Sequence, residues 1–358
     1  MKIISSFKND TSSDKPEAGS YEWWYFDAIS DDKSLSFVII FYEGNPFSGS
    51  YIDAQKAGKI GDLNRAAGYP ALSISVYKNG KTVYYGFEEF KREDADYREN
   101  EVYGKAGKSS FSGTINQKRM IYHLDLNQLL PGGNSIVAQL TFSSDYAFAD
   151  FPAEDRSGSQ KHTWNLVQPV AEVEGEIEIS RESTQKLKFS GSGYHDHNLG
   201  MEPMKSSFEN WYWGRFHFHD HTLVYYIMNL HNSMEKRAWI IDENFGATQL
   251  DEEINLIDFG YNVFGLKSAR QIEIKSAGRE IYIQQAGIVD DGPFYQRFLS
   301  RAVMHHDDQV TQAHGFTEFI VPKRIYSKIF RPLINMRISY PGKSHWVQNN
   351  PVLYRLTW

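Results

Sequence analysis

The sequence predicts an all-β protein built as two antiparallel barrels. Apolar residues recur at period two along most of the chain, long helical periods are scarce, and turn signals separate short strand-like runs. At 358 residues the chain exceeds what one core usually organises, so two domains are expected. Both halves are strand-rich and similar in length. A duplicated barrel fits, with residues 1–200 as the first domain, 201–358 as the second, and the junction near 200–210.

Strands are expected at 21–29 and 35–42. Residues 53–68, polar and rich in glycine and alanine, read as a long loop with room for a short helix. Residues 71–77 and 81–90 flank Lys78-Asn79-Gly80, where Asn-Gly supplies the positive φ angles of a two-residue hairpin turn. A solvated charge run follows at 91–100. Further strands are expected at 120–126, 135–142, 162–168, 173–179 and 186–192, then a hairpin of 212–218 with 222–230 and a strand at 238–242. A hairpin of 270–275 with 280–285 turns at Ala277-Gly278, and strands at 298–304 and 314–321 complete the set. Residues 326–336 are the best helix candidate, with Pro332 breaking it. Many short antiparallel strands at regular spacing mean sandwiches or barrels.

The net charge of −7 is modest, both signs are scattered and no basic stripe appears, which argues against nucleic acid or an anionic membrane surface as the main partner. There are no cysteines, so disulfides, thiolate metal sites and cysteine nucleophiles are excluded. The first ten residues lack the apolar core of a signal peptide, and no run approaches about 18 apolar residues. A cytoplasmic protein is expected, with at most peripheral membrane contact to collect substrate. Aromatic content of 15% is high for such a chain, and some of it is expected to line a cavity.

The chemistry-bearing stretches lie on expected strands. In 22–27, Glu22, Trp24 and Phe26 share one face while Trp23, Tyr25 and Asp27 share the other, so either face sets a carboxylate beside aromatics. His162-Thr163-Trp164 puts an imidazole and an indole on one face, and Tyr194-His195-Asp196 does so for a phenol and a carboxyl, with His197 two residues beyond His195. Such groups are costly to bury unless they bond one another or a ligand. Trp211, Trp213, Arg215, His217 and His219 lie on one face of a further strand. His-x-His is a spacing of metal sites, but His219-Asp220-His221 reads as a solvated hairpin tip and no metal is expected. No nucleophile elbow, phosphate-cradling loop or dinucleotide fingerprint is present.

Glu22-Trp23-Trp24-Tyr25-Phe26-Asp27, His162-Thr163-Trp164, Val173-Glu174-Gly175, Gly193-Tyr194-His195-Asp196-His197-Asn198-Leu199-Gly200, Trp211-Tyr212-Trp213-Gly214-Arg215 and Gly315-Phe316-Thr317-Glu318 together span most of the chain. This ordered set resembles the carotenoid 1,2-hydratase, or hydroxyneurosporene synthase, family, whose relatives include fungal pericyclases that form decalins. The resemblance implies two lipocalin-like barrels and a cofactor-free enzyme acting on an apolar, unsaturated substrate. It places the hydratases' functional residues on His162, Trp164, Tyr194 and Asp196. Glu22, Trp23, Trp24, Asp27, His195, His197, Trp211, Trp213 and Arg215 are expected to bind substrate.

Hydrating an isolated double bond needs a strong acid, surroundings that tolerate a tertiary cation, and a held water. Asp196 is the expected acid, raised toward its neutral form by apolar burial; Tyr194 or His162 orients it or the water, and Trp164 with Trp23 or Trp24 offers π faces to the cation. Capture of the cation by an internal alkene or hydroxyl would give cyclisation instead. Two other classes compete: a non-catalytic lipocalin-like carrier of an apolar ligand, and a metal-dependent enzyme using His217 and His219.

Overall fold

In a computed structural model of the chain, residues 1–57, 65–148, 161–181, 183–250, 252–276 and 278–357 are described. Among these residues the strands form two curled antiparallel half-barrel sheets, as the period-two pattern requires. Contacts divide the chain into one unit of residues 1–148, 158–204 and 328–358 and another centred on 205–327. The expected single boundary at residue 200 lies near the Met204/Lys205 division; residues 328–358, expected in the second barrel, pack with the first unit.

In the first unit, Tyr21–Ser30, Leu35–Glu43, Ala71–Lys78 and Lys81–Glu89 form a consecutive meander. Asn79 and Gly80 take φ of 50° and 70°, so the expected two-residue turn is present. Thr184–Gly200 pairs antiparallel with Tyr21–Ser30 and joins this meander to His162–Ser180, Ser135–Asp145, Arg119–Leu129 and Ser109–Asn116. Lys2–Ile4 runs parallel to His162–Ser180, and Ile338–Ser339 parallel to the Lys81–Glu89 edge.

The strands expected separately at 162–168 and 173–179 are one strand, His162–Ser180, with register shifts between Leu166 and Ala171. Pro169, which has no N–H to offer the ladder, lies inside that irregularity. The curl of the sheet is read from its core: Phe26 meets Phe111, Tyr122 and Phe142 at centroid distances of 5.5, 5.8 and 5.5 Å, although those rings come from strands on the far arm.

In the second unit, Asn210–His217, His221–Asn229 and Met234–Asp242 form a meander continued by Gln309–Ile320, Tyr295–His306, Arg279–Asp291, Lys267–Ser276 and the edge strand Glu253–Tyr261. Its core gathers Tyr212, Phe216, Leu223, Tyr225, Ile240 and Phe319. Of the expected turn at Ala277-Gly278, Ala277 lies outside the described residues. The helix expected at 326–336 begins later: Pro332 stands at the start of Arg331–Arg337, where its missing N–H costs nothing, and opens that helix instead of breaking it.

Candidate active site

The two central strands of the first unit, Tyr21–Ser30 and Thr184–Gly200, present opposite chemistry on their two faces. Register places Tyr25 beside Asp196, Asp27 beside Tyr194 and Trp23 beside Asn198, while Trp164 of the next strand lies beside Asn198. Alternation therefore collects Tyr21, Trp23, Tyr25, Asp27, Tyr194, Asp196, Asn198, His162 and Trp164 on one face.

Asp196 is 3% exposed and is the centre of this face. Its Oδ2 accepts from Trp164 Nε1 and from the Tyr194 hydroxyl, each at 2.7 Å, and its Oδ1 accepts from Asn198 Nδ2 at 2.9 Å. Burial favours the neutral acid, whereas the three donated bonds favour the carboxylate, so the two effects oppose one another here. Burial and the neighbouring Asp196 and Asp27 charges hold the Tyr194 phenol well above its usual value, which keeps it a donor.

His162 is linked to Asp196 through Asn198: its Nε2 lies 3.2 Å from Asn198 Oδ1. Because the Asn198 amide donates to Asp196, its carbonyl is turned to His162, and Nε2 must carry the imidazole proton. Nδ1 is then the acceptor for the Tyr21 hydroxyl at 3.1 Å. Burial holds His162 down at about 3, so the ring is neutral at physiological pH and orients Asn198. The Tyr21 phenol crosses the intervening strand at Gly200, where a Cβ would come within 2.1 Å of Tyr21 Cζ. Trp23 stacks on Tyr21 at 5.1 Å and its ring lies 6.0 Å from His162.

The structure corrects the placement of Glu22, Trp24, His195 and His197, expected to bind substrate beside Asp196. Strand alternation turns them to the opposite face, inside the half-barrel, where the 9–22 segment ties them down. Lys15 Nζ bonds Glu22 Oε2 at 2.5 Å and Glu43 Oε2 at 2.7 Å, and His197 bonds Glu22 Oε1 at 2.8 Å. His195 Nε2 lies 3.0 Å from Asp10 Oδ2, which also accepts from Tyr122 at 2.5 Å. Trp24 stacks on His197 at 4.6 Å and gives its indole N–H to the Asp10 carbonyl.

Burial works against charge at Lys15, His197 and Glu22 alike. Glu22 and Glu43 nevertheless hold Lys15 above its ordinary value, Glu22 and Asp10 raise His197, and Lys15 with His197 keeps Glu22 low.

Trp211, Trp213 and Arg215 belong to the second unit and alternate on Asn210–His217, where Trp213 pairs with Glu318 and Arg215 with Phe316. His217 bonds Thr222 at 3.0 Å and His219 is exposed at the hairpin tip. Among the described residues no set of three His, Asp or Glu side chains is arranged to hold a metal ion.

Sequence reasoning missed Asn198 and Tyr21 as site members, and Asp10 and Lys15 as partners of the opposite face. The first two were signalled by the alternation of Tyr194, Asp196 and Asn198 and of Tyr21 with Trp23. The last two come from a segment without periodicity and carried no such signal.

The chain is 28% identical over 340 residues to the hydroxyneurosporene dehydrogenase of Chlorobaculum tepidum, covering 91% of this chain and 88% of that one. It is 25% identical over 295 residues to the acyclic carotenoid 1,2-hydratase of Thiocapsa roseopersicina, covering 78% of this chain and 64% of that one, just under two thirds of its length. The solved structure of CghA superposes with a TM-score of 0.60 at 12% identity over 89% of this chain and 96% of that one, so the two share a lipocalin-like fold. The family model for carotenoid hydratase CrtC matches residues 64–349, which contain His162, Trp164, Tyr194 and Asp196, and the chain belongs to that family.

Proposed function

We propose that the chain is a hydratase or cyclase-type enzyme acting on a carbon–carbon double bond of an apolar polyene, and specifically that it hydrates that bond without a cofactor. The observation that carries the reading is Asp196: a buried carboxyl held by an indole, a phenol and an amide on a face that also carries Tyr21, Trp23, Tyr25, Asp27 and His162. Family membership supports the reaction class.

Oδ2 is held by two donors and Oδ1 by the Asn198 amide, which makes Oδ1 the more basic oxygen and the seat of the transferred proton. The Oδ1–H bond breaks as the π pair forms a C–H bond at the less substituted carbon, leaving a tertiary cation. Trp23 and Trp164 offer π faces worth about 2 kcal/mol each when desolvated. The three donors stabilise the carboxylate as the proton departs, so they act where charge develops. Water adds to the cation and returns a proton to Asp196, which restores the acid and leaves one water added overall. Neutral His162 sets the Asn198 amide and thereby the orientation of Oδ1.

Asp196→Asn keeps size and removes the acid. Turnover of an acyclic polyene by dialysed, chelator-treated protein should fall at least ~100-fold while ligand affinity changes little. Near-normal turnover would defeat the acid assignment, and ligand binding with no turnover by the unaltered protein would make the chain a carrier. A requirement for an electron acceptor would instead align the reaction with the dehydrogenation for which the Chlorobaculum tepidum relative is named.

A further inference from the structure

Residues 328–357 contain Lys328, Arg331, Arg337, Lys343 and Arg355 and no Asp or Glu, in a chain whose remaining 33 Lys and Arg face all 45 Asp and Glu. The segment thus carries five positive charges while the rest of the chain carries a net −12. It packs along one edge of the first unit's sheet, where Ile338–Ser339 pairs with Phe87 and Glu88 and Arg331 bonds Asp53 at 2.8 Å. Arg337 is turned inward, 4.5 Å over the Tyr85 ring. Lys328, Lys343 and Arg355 are exposed, and the half-buried Arg181 of the neighbouring hairpin tip lies close enough to Arg355 for their charges to interact.

The same segment exposes large apolar side chains: Ile329 at 81%, Trp346 at 67%, Val352 at 70% and Leu356 at 78%. Val352 and Leu356 are four residues apart, so they stand on one side of the short Pro351–Arg355 helix and its C-cap, while Tyr354 is buried on the other. Exposed indole and aliphatic groups beside unopposed cations are what the headgroup–acyl boundary of an anionic bilayer accommodates.

We propose that the 328–357 segment docks the protein on an anionic lipid surface, with Trp346, Val352 and Leu356 entering the interface and Lys328, Lys343 and Arg355 facing the headgroups. This inference is independent of the chemistry assigned to Asp196, because its test reads binding and not turnover.

The purified full chain is sedimented with vesicles of equimolar phosphatidylglycerol and phosphatidylcholine, and with phosphatidylcholine alone. Binding to the anionic vesicles only, weakening as salt rises, is expected. Lys343→Gln with Arg355→Gln should lower the partition constant ~25-fold, about fivefold per cation removed, while the equally charged control Lys186→Gln with Lys188→Gln should leave it unchanged. Val352→Ser with Leu356→Ser should weaken binding at every salt concentration. Absence of binding to anionic vesicles by the unaltered chain, or equal binding by the segment and control variants, would overturn the proposal. So would a dimer in size-exclusion chromatography that the segment variants dissociate, which would assign the surface to a second copy. Thermal melts of both segment variants matching the unaltered chain exclude misfolding as the cause of lost binding.

Discussion

Replacing Lys15 by Met should destabilise the first unit by about 3–5 kcal/mol at pH 7, the usual cost of removing one partner from a buried ionic set. The Lys15 and Glu22 side chains are 4% and 0% exposed, so solvent screening scarcely reduces the effect. At an effective dielectric near 20, each ammonium–carboxylate attraction at such separations amounts to roughly 6 kcal/mol before desolvation. Losing both leaves Glu22 and Glu43 buried together, with His197 the remaining cation against Glu22.

The folded variant relieves this by binding a proton that its unfolded chain, with carboxyls near 4.5, does not hold at pH 7. Its stability relative to the unaltered protein should therefore recover as pH falls from 7 toward 4.5, by up to about 1.4 kcal/mol per pH unit for one extra proton. In the unaltered protein burial already raises Glu43, which shares this sign, whereas Glu22 has the opposite one and Lys15 titrates outside this pH window. Glu22 is held below its ordinary value, so its contribution is present above about 4.5 and is lost only as pH falls further; Lys15 is held above 10.5, so its contribution persists below that value and is lost at higher pH. Urea unfolding of both proteins at several pH values, with amide exchange over residues 9–24 as a local probe, measures the difference, and common slopes cancel. A cost below about 1 kcal/mol that does not vary with pH would refute the reasoning.

Asn198→Ala should lower kcat on a polyene by tens-fold with little change in KM, and Asn198→Gln should fail to restore it because its longer amide cannot meet both His162 and Asp196; a mutant with an unaltered pH–rate profile would show Asn198 to be structural only. Gly200→Ala should displace Tyr21, costing about 1–3 kcal/mol in thermal stability and weakening turnover with it, since the added Cβ meets the ring at 2.1 Å. Gly80→Ala, at a φ of 70° in open space, should cost only about 1 kcal/mol by the same melt and leave turnover intact. Burial raises Glu89 to about 7, against hydrogen bonds from Ser48 and Asn45, so its contribution to stability is full below about 4.5 and lost as pH rises through 7; Glu89→Gln should shrink the loss of stability between melts at pH 5 and 8, with the neighbouring Glu88, also raised to about 7 by burial, keeping the rest.

Much of the fold was legible because burial on one side of a pleated strand writes itself as alternation, and the Asn79-Gly80 turn writes itself as φ. Strands such as Ala95–Tyr97 and Glu253–Tyr261 escaped the sequence reading because edge positions bury too little to impose a clean period. At the site, Asp196, Tyr194, Trp164 and His162 were legible as chemistry-bearing pairs on strands. Which face of 22–27 joins them was not, because both faces carry a carboxylate beside aromatics and both are buried. The deciding partner is Lys15, which captures Glu22 from a segment with no period at all.

Register links the two faces. Because side chains alternate, a one-residue slip of Thr184–Gly200 against Tyr21–Ser30 would turn Asp196 into the half-barrel core and bring His195 and His197 out to the aromatic face. Tyr21–Ser30 and residues 194–200 of its partner strand are buried on both sides, so apolar packing alone separates the two registers weakly. The ionic set on the inner face separates them strongly. His197 must meet Glu22, and His195 must meet Asp10. A slipped register would bury those charges unpaired, at several kcal/mol each. The charges at Lys15, Glu22 and His197 therefore contribute less to net stability than to the choice of pairing, and the pairing they choose is the one that points Asp196 at Trp164, Tyr194 and Asn198.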